Sequence, residues 1–179
     1  MSGEDLKKLS RRAVELWNSN NRDRPEDLVA GSYHKHLLPD VPVATRTKNF
    51  RSWKEILKSY HEDVVPGSRQ TLHEPGAADG TITKDLEGWK ELLKSYHEAF
   101  SNSKVEVHGQ IAENDMVATR WRMTADHTGE FAGLRPTRKR STWTGVTTDR
   151  FDNGKIVESW VNWDKHNFLK GLGLVKYPL

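Results

Sequence analysis

Apolar and polar residues alternate along several stretches in the second half of the chain. A period of two is typical of strands that bury one face. The turn Glu113-Asn-Asp115 separates the first two stretches, and Asn153-Gly154, a pair in which both residues accept positive φ, predicts a tight hairpin between the last two. The predicted strands are residues 105–111, 117–123, Ser141–Phe151 and Lys155–Trp163.

A two-residue hairpin loop fixes which residues of the last two strands face each other. The pairs on one face are Asp149 with Glu158, Thr147 with Trp160, and Gly145 with Asn162. Like charges placed directly opposite disfavour double ionisation, so one pKa is expected to rise if this face is desolvated, as a general acid or base requires. The alternative is a surface hairpin whose charges are solvated or paired to Lys or Arg.

The first half of the chain and its last residues carry helical spacing instead. Leu6, Leu9, Ala13 and Leu16 follow the helical period, with Ser2 as the expected N-cap. Pro25 predicts the first turn of a short helix over Glu26–Ala30. A terminal helix is expected over residues 166–174.

One loop-plus-helix unit is repeated. The segment Trp53–Glu62 recurs as Trp89–Glu98 with one conservative change, and both copies present an apolar stripe. We infer a tandem duplication of about residues 37–72 and 73–108 inside a single domain of residues 1–179. The connector 66–81, rich in Gly, Pro and Ala, is predicted to be a long loop.

Helices followed by a run of strands indicate an α+β protein, in which helices pack on one face of a curved antiparallel sheet. Such a sheet forms a cone with a cavity in which a small molecule can bind. Trp121, Met123 and His127 share one parity along their strand. They are therefore expected on one face, where His127 either meets a ligand or makes a structural hydrogen bond.

Composition narrows the possible partners and location. The 179 residues include no cysteine, and Lys plus Arg exceed Asp plus Glu by only 3. This mild excess argues against nucleic-acid binding, and no apolar run suits a membrane helix. We expect a cytoplasmic protein that binds no nucleic acid and no membrane. His34-Lys-His36 lacks a carboxylate pattern beside it, so no metal site is predicted.

Several motifs together resemble the SnoaL-like polyketide cyclases, also called ester cyclases, of the nuclear-transport-factor-two-like superfamily. These motifs are His127-Thr-Gly-Glu-Phe-Ala-Gly, Thr142-Trp-Thr-Gly, Arg150-Phe, Gly154-Lys-Ile-Val-Glu-Ser-Trp and Asp164. The resemblance implies cofactor-free intramolecular aldol chemistry, in which a cavity carboxylate and histidines move protons on a polyketide ester. Members often carry the acid/base aspartate three residues before the strand arginine, which is position Thr147 here.

These observations lead to a cofactor-independent cyclase, or a related lyase or isomerase, acting on a small carbonyl metabolite. The predicted catalytic residues are Asp149, His127, His73, His36 and Glu158. The predicted substrate-binding residues are Thr147, Trp160, Asn162, Trp121, Met123 and Trp143. One of His36 and His73 is expected to line the cavity, and the other to belong to the inserted copy. The alternative is a non-catalytic small-molecule binder or dimeric interaction domain. A homodimer is expected because Val157, Val161 and Trp163 would leave the outer sheet face apolar.

Overall fold

The computed structural model describes residues 1–37, 82–131 and 134–175. The first helix copy, the predicted connector and His73 lie outside these residues. Helix α1 spans Gly3–Glu15, where Ser2 and Asp5 form a capping box. Helix α2 spans Pro25–Leu28, starting at the predicted proline but ending before Ala30. Helix α3, the second repeat copy, spans Leu86–Ala99, and α4 spans Lys165–Gly171.

Within the described residues, six strands form one sheet, in the order β2-β1-β6-β5-β4-β3. Their bounds are β1 Val29–Leu37, β2 Ile82–Lys84, β3 Phe100–Glu113, β4 Met116–His127, β5 Arg140–Asp152 and β6 Lys155–Trp163. The predicted α+β class, with a curved antiparallel sheet and helices, is confirmed, and the sheet does not close on itself. Neighbouring strands pair antiparallel, except that β1 runs parallel to β6. Strand β1, which contains His34 and His36, is not among the strands that the sequence predicts.

The helices cover one face of the sheet. Helix α1 packs on β3 and β4, α3 packs on β1, and α4 packs on β5. The apolar stripe of α3 is buried as predicted, with Trp89, Leu92, Leu93 and Tyr96 turned inward. No helix in the described part of the chain combines the length and apolarity needed to cross a membrane.

The β5–β6 hairpin forms where predicted, but its register differs. Asn153 and Gly154 both have positive φ, 47° and 76°, as the tight turn requires. Next to the turn, Phe151 pairs with Ile156, and a bulge then intervenes before Arg150 pairs with Glu158. One extra residue on a strand exchanges the faces of every residue beyond it. The predicted shared face is therefore wrong for β6.

Beyond the bulge, Asp149 pairs with Ser159 rather than with Glu158. The remaining corrected pairs are Thr147 with Val161, Thr148 with Trp160, Val146 with Asn162, and Gly145 with Trp163. Because paired residues point to the same face, Ser159, Val161 and Trp163 join Asp149 on the helix-covered side. Glu158, Trp160 and Asn162 lie on the other side.

Candidate active site

An apolar cavity of about 80 Å³ lies between the helices and the inner face of the sheet. The strands supply alternate residues, since only every second side chain of a strand points inward. The helices and the loop at Phe131 close the other side. The lining residues are Val14, Trp17, Lys35, Leu92, Tyr96, Trp121, Met123, Phe131, Trp143, Thr147, Val161, Trp163 and Phe168.

Four of the predicted substrate-binding residues line this cavity, namely Trp121, Met123, Trp143 and Thr147. The indole N–H of Trp121 donates a hydrogen bond to Thr147 Oγ1 over 3.0 Å. Thr147 thus sits at the cavity wall, where the resemblance expects a carboxylate, and its hydroxyl positions an aromatic side chain. Gly145, the neighbour on this face, leaves room for that ring.

Asp149 is buried at one end of this inner face, just beyond the lining residue Thr147. Only 1% of its surface is exposed. Ser10 on α1 donates a hydrogen bond of 2.6 Å to one carboxylate oxygen, and Ser159 on β6 donates to the other. Burial raises the pKa of Asp149, and the two serine hydroxyls and the charge of Lys35 act against this increase.

The serine that holds Asp149 belongs to a longer hydrogen-bonded chain. Ser10 and Thr119 hydroxyl oxygens lie 2.8 Å apart, and the Gln110 amide donates to Thr119 Oγ1 over 2.9 Å. Since Ser10 donates its proton to Asp149, Thr119 donates to Ser10. This order leaves each hydroxyl satisfied and favours a carboxylate at Asp149.

Lys35 on β1 is the second ionisable group at this end of the cavity. It pairs with Ser159 of β6, which in turn pairs with Asp149 of β5, so the three residues form one row across the sheet. Lys35 is only 5% exposed, and its ammonium lies 4.6 Å from the ring centre of Trp89. Burial lowers its pKa to about 8, although the charge of Asp149 acts in the opposite direction.

Lys35 is the functional candidate that sequence reasoning missed. Among the described lining residues it alone carries a formal charge. The available signal was alternation within Tyr33-His-Lys-His36, where Tyr33 and Lys35 share the parity of the inner face. The phenol of Tyr33 is also buried, and burial together with the negative charge of Asp149 raises its pKa.

His127 lies on the inner face, as its parity predicted, but is not among the cavity-lining residues. Its ring stacks on Phe100, with ring centres 5.0 Å apart. The backbone N–H of Thr137 donates to Nδ1 over 3.2 Å. Burial lowers the pKa of His127, which favours the neutral imidazole. These contacts correspond to the structural alternative considered for this residue.

Glu158 and His36 form a cluster on the opposite face of the sheet, away from Asp149. Glu158 accepts hydrogen bonds from His36 Nε2 over 2.7 Å and from Arg150 Nη2 over 2.8 Å. Burial alone raises the pKa of Glu158, but these two partners outweigh it and lower the pKa. Trp160 stacks on His36, and Asn162 is exposed.

The register correction also changes the outer surface. Val161 and Trp163 line the cavity instead of forming an outer apolar patch with Val157. That argument for a homodimer is wrong, and the homodimer itself stays a prediction. In the described residues, no group of three His, Asp or Glu side chains is arranged to hold a metal ion.

The cavity is aromatic, lies between a curved sheet and its helices, and has two ionisable residues at one end. These features define a class of α+β proteins that bind small molecules. The family model of the SnoaL-like polyketide cyclases matches residues 44–172, and the chain belongs to this family. A search of curated proteins found no match.

Solved structures share the fold at low sequence identity. AclR from Streptomyces galilaeus, a proposed hydroxylase, is 23% identical with a TM-score of 0.67, over 99% of this chain and 87% of that one. IdmH from Streptomyces antibioticus, a proposed polyketide cyclase, is 24% identical with a TM-score of 0.63, over 94% and 98%. A phenazine biosynthesis-related protein from Pseudomonas aeruginosa is 11% identical with a TM-score of 0.59, over 98% and 91%. These similarities establish the fold.

Proposed function

We propose that this protein is an acid/base enzyme that moves protons on a carbonyl-bearing small molecule, by aldol cyclisation or related lyase or isomerase chemistry. The observation that carries the proposal is the buried pair of Lys35 and Asp149 at the end of an aromatic cavity. Membership of a cyclase family and the naming of IdmH as a proposed polyketide cyclase agree with it.

The cavity wall fits an unsaturated, largely apolar substrate. Trp121, Trp143 and Trp163 present flat surfaces on which a planar ring system can stack. A polyketide chain combines such apolar surface with carbonyl groups. The carbonyl would be oriented toward Lys35, the charged group of the wall.

Proton transfer at a carbon next to a carbonyl requires a base near neutral pKa and a donor for the developing oxyanion. Lys35 lines the cavity, and its pKa of about 8 allows it to exchange its proton near physiological pH. Asp149 lies behind the wall, where its charge partly offsets the effect of burial on the pKa of Lys35. This chemistry needs side chains alone, so we propose that no cofactor takes part.

The other predicted catalytic residues stay predictions. His36 and Glu158 lie across the sheet from the cavity, so the proposed route does not use them. His73 lies outside the described residues. His127 borders the aromatic cluster of Phe100, and a direct role would require a substrate that reaches past that ring.

Carbon-acid exchange tests the proposal directly. In D2O, the protein should catalyse deuterium uptake at the carbons next to the ketone of 4-phenyl-2-butanone, followed by NMR. Removing a general acid or base typically costs about 10²–10⁴ in rate, so Lys35→Met should reduce exchange by about a hundredfold or more. Asp149→Asn removes the buried carboxyl in the same row of the sheet and should also reduce exchange. The exposed Asp152 provides the matched control, and D152N should exchange at the wild-type rate.

The same assay separates the enzyme from the non-catalytic binder. A binder would shift the protein's NMR signals on ligand addition without any exchange above the buffer rate, and this result would exclude the proposed function. Wild-type exchange in folded D149N, with the thermal transition intact, would instead remove Asp149 from the mechanism.

A further inference from the structure

The amine of Lys35 has an environment that suits covalent chemistry as well as proton transfer. Within the described part of the chain it makes no hydrogen bond or ion pair, and it lies over the face of Trp89, 4.6 Å from the ring centre. An exposed lysine such as Lys104, by contrast, is bound to Glu106 over 2.9 Å. In an apolar pocket a lysine more readily loses its extra proton. The neutral amine then has a free lone pair, which can attack a carbonyl carbon.

The position of Lys35 supplies the geometric part of the argument. Strand β1 holds its backbone between two neighbouring strands, and the Trp89 ring from α3 covers its tip. The side chain therefore projects from a rigid sheet into the cavity, where a bound carbonyl would meet it. Asp149 lies at the same end, in the row of the sheet that runs from Lys35 through Ser159.

We propose that Lys35 Nζ is a nucleophile that forms an imine with a carbonyl carbon of the bound small molecule. This inference rests on the proposed function only in requiring a carbonyl ligand. It adds a covalent step at a residue that acid/base catalysis alone would use as a proton carrier. The substrate class becomes aldehydes and ketones, because an ester carbonyl would acylate the amine instead.

The step balances without any added reagent. The lone pair of neutral Lys35 attacks the carbonyl carbon, and the π electrons of the C=O bond move to oxygen. Both hydrogens of the amine leave with that oxygen as one molecule of water, and an imine remains. The imine then draws electrons from the adjacent carbon, so a proton there is removed more readily. Hydrolysis by one water restores the amine and the carbonyl.

Reductive trapping with benzaldehyde tests the inference. Benzaldehyde has no hydrogen on the carbon next to its carbonyl, so labelling reports on the amine independently of carbon-acid chemistry. The full-length protein is treated with benzaldehyde and sodium cyanoborohydride at about pH 8, and peptide mass mapping locates the benzyl group. An amine with pKa about 8 is about half neutral there, against less than about 1% for an ordinary lysine.

We therefore expect Lys35 to be labelled at least about tenfold faster than Lys104 in the same wild-type sample. Asp149 on β5 is the charged group that influences the ionisation of Lys35, and it is not itself labelled. Lys35→Arg keeps the positive charge but cannot form the imine, so it should lose this label. Lys104→Arg is the matched control and should retain it.

Each outcome decides the inference. If wild-type Lys35 is labelled no faster than Lys104, the inference is overturned, and this comparison needs no folded variant. If Lys35 is labelled while 4-phenyl-2-butanone shows no exchange, the nucleophile stands and the proposed function fails. If exchange occurs without labelling of Lys35, the proposed function stands and Lys35 acts as a proton carrier only.

Discussion

Replacing Lys35 by methionine should stabilise the protein at neutral pH, although it removes a conspicuous charged residue of the site. Methionine has a similar length and suits the surrounding apolar side chains. The lysine, in contrast, is buried, and its ammonium lies over the ring face of Trp89. Folding at neutral pH must therefore bear the cost of taking this charge out of water.

The pKa of Lys35 sets the size of the effect. A decrease from 10.5 to about 8 on folding corresponds to about 3 kcal/mol of destabilisation at pH values below 8. Between these two values the unfolded chain binds a proton that the folded chain lacks, so the free energy of unfolding rises with pH. From about pH 8 to about 9.5 the wild-type protein should gain about 2 kcal/mol, and K35M should gain none of it.

The other buried ionisable groups do not hide the effect of Lys35 between about pH 8 and 9.5. Burial raises the pKa values of Tyr33 and Tyr96 above the ordinary tyrosine value, so these two residues oppose the trend only above about pH 10. Asp149 has a raised pKa, and its stability cost grows as pH rises from the unfolded pKa to the folded one. This effect has the opposite sign to that of Lys35 and is shared by the wild type and K35M, so the difference between the two proteins reports on Lys35.

Urea denaturation followed by tryptophan fluorescence at several pH values between about 7 and 9.5 would measure the slope. Lys104→Met, at an exposed position, serves as the control and should follow the wild-type curve. The reasoning is refuted if K35M keeps the wild-type increase in stability with pH. A K35M protein that is less stable than wild type at pH 7 would likewise show that the ammonium is compensated.

Three further substitutions probe the frame of the site by urea denaturation. Gly145→Ala would place a Cβ against the Trp121 ring and should lower the free energy of unfolding by about 1–3 kcal/mol. An unchanged urea midpoint would mean that the ring moves aside freely. Thr147→Val removes the acceptor of the Trp121 N–H and should cost about 1–3 kcal/mol, whereas T147S should retain most of the stability. Ser2→Ala breaks the capping box with Asp5 and should cost about 1 kcal/mol, while S2T should retain the cap; equal losses in both would contradict this account.

Local chemistry made much of the fold predictable. Asn153-Gly154 specified the hairpin because few other pairs adopt two consecutive positive φ values. Alternation along β4 placed Trp121 and Met123 on the inner face, and Ser2 marked the start of α1. Each of these signals depends on residues that are neighbours in sequence.

The parts that escaped prediction depend on distant partners. The bulge in β6 beyond Ile156 has no evident local signature, yet it decides which face Glu158 occupies. Strand β1 pairs with β6, more than a hundred residues away, and its sequence His34-Lys-His36 does not alternate in hydrophobicity. Residue type alone predicts that Lys35 is exposed to solvent, because lysines are rarely buried.

The bulge has a chemical consequence that extends beyond geometry. Without it, Asp149 would face Glu158, and two like charges would compete for one proton. With it, Ser159 occupies that position and Lys35 follows on the next strand, so the buried end of the cavity holds one acid and one base. Carboxylate with ammonium and carboxylic acid with amine both have zero net charge. A proton that moved from one group to the other would therefore leave the net charge of the apolar cavity unchanged. The serine hydroxyls that donate to Asp149 favour its carboxylate, but burial favours the form in which both groups are neutral. That form supplies at once the acid and the free amine that carbonyl chemistry requires, which neither a pair of carboxylates nor a solvated lysine would provide.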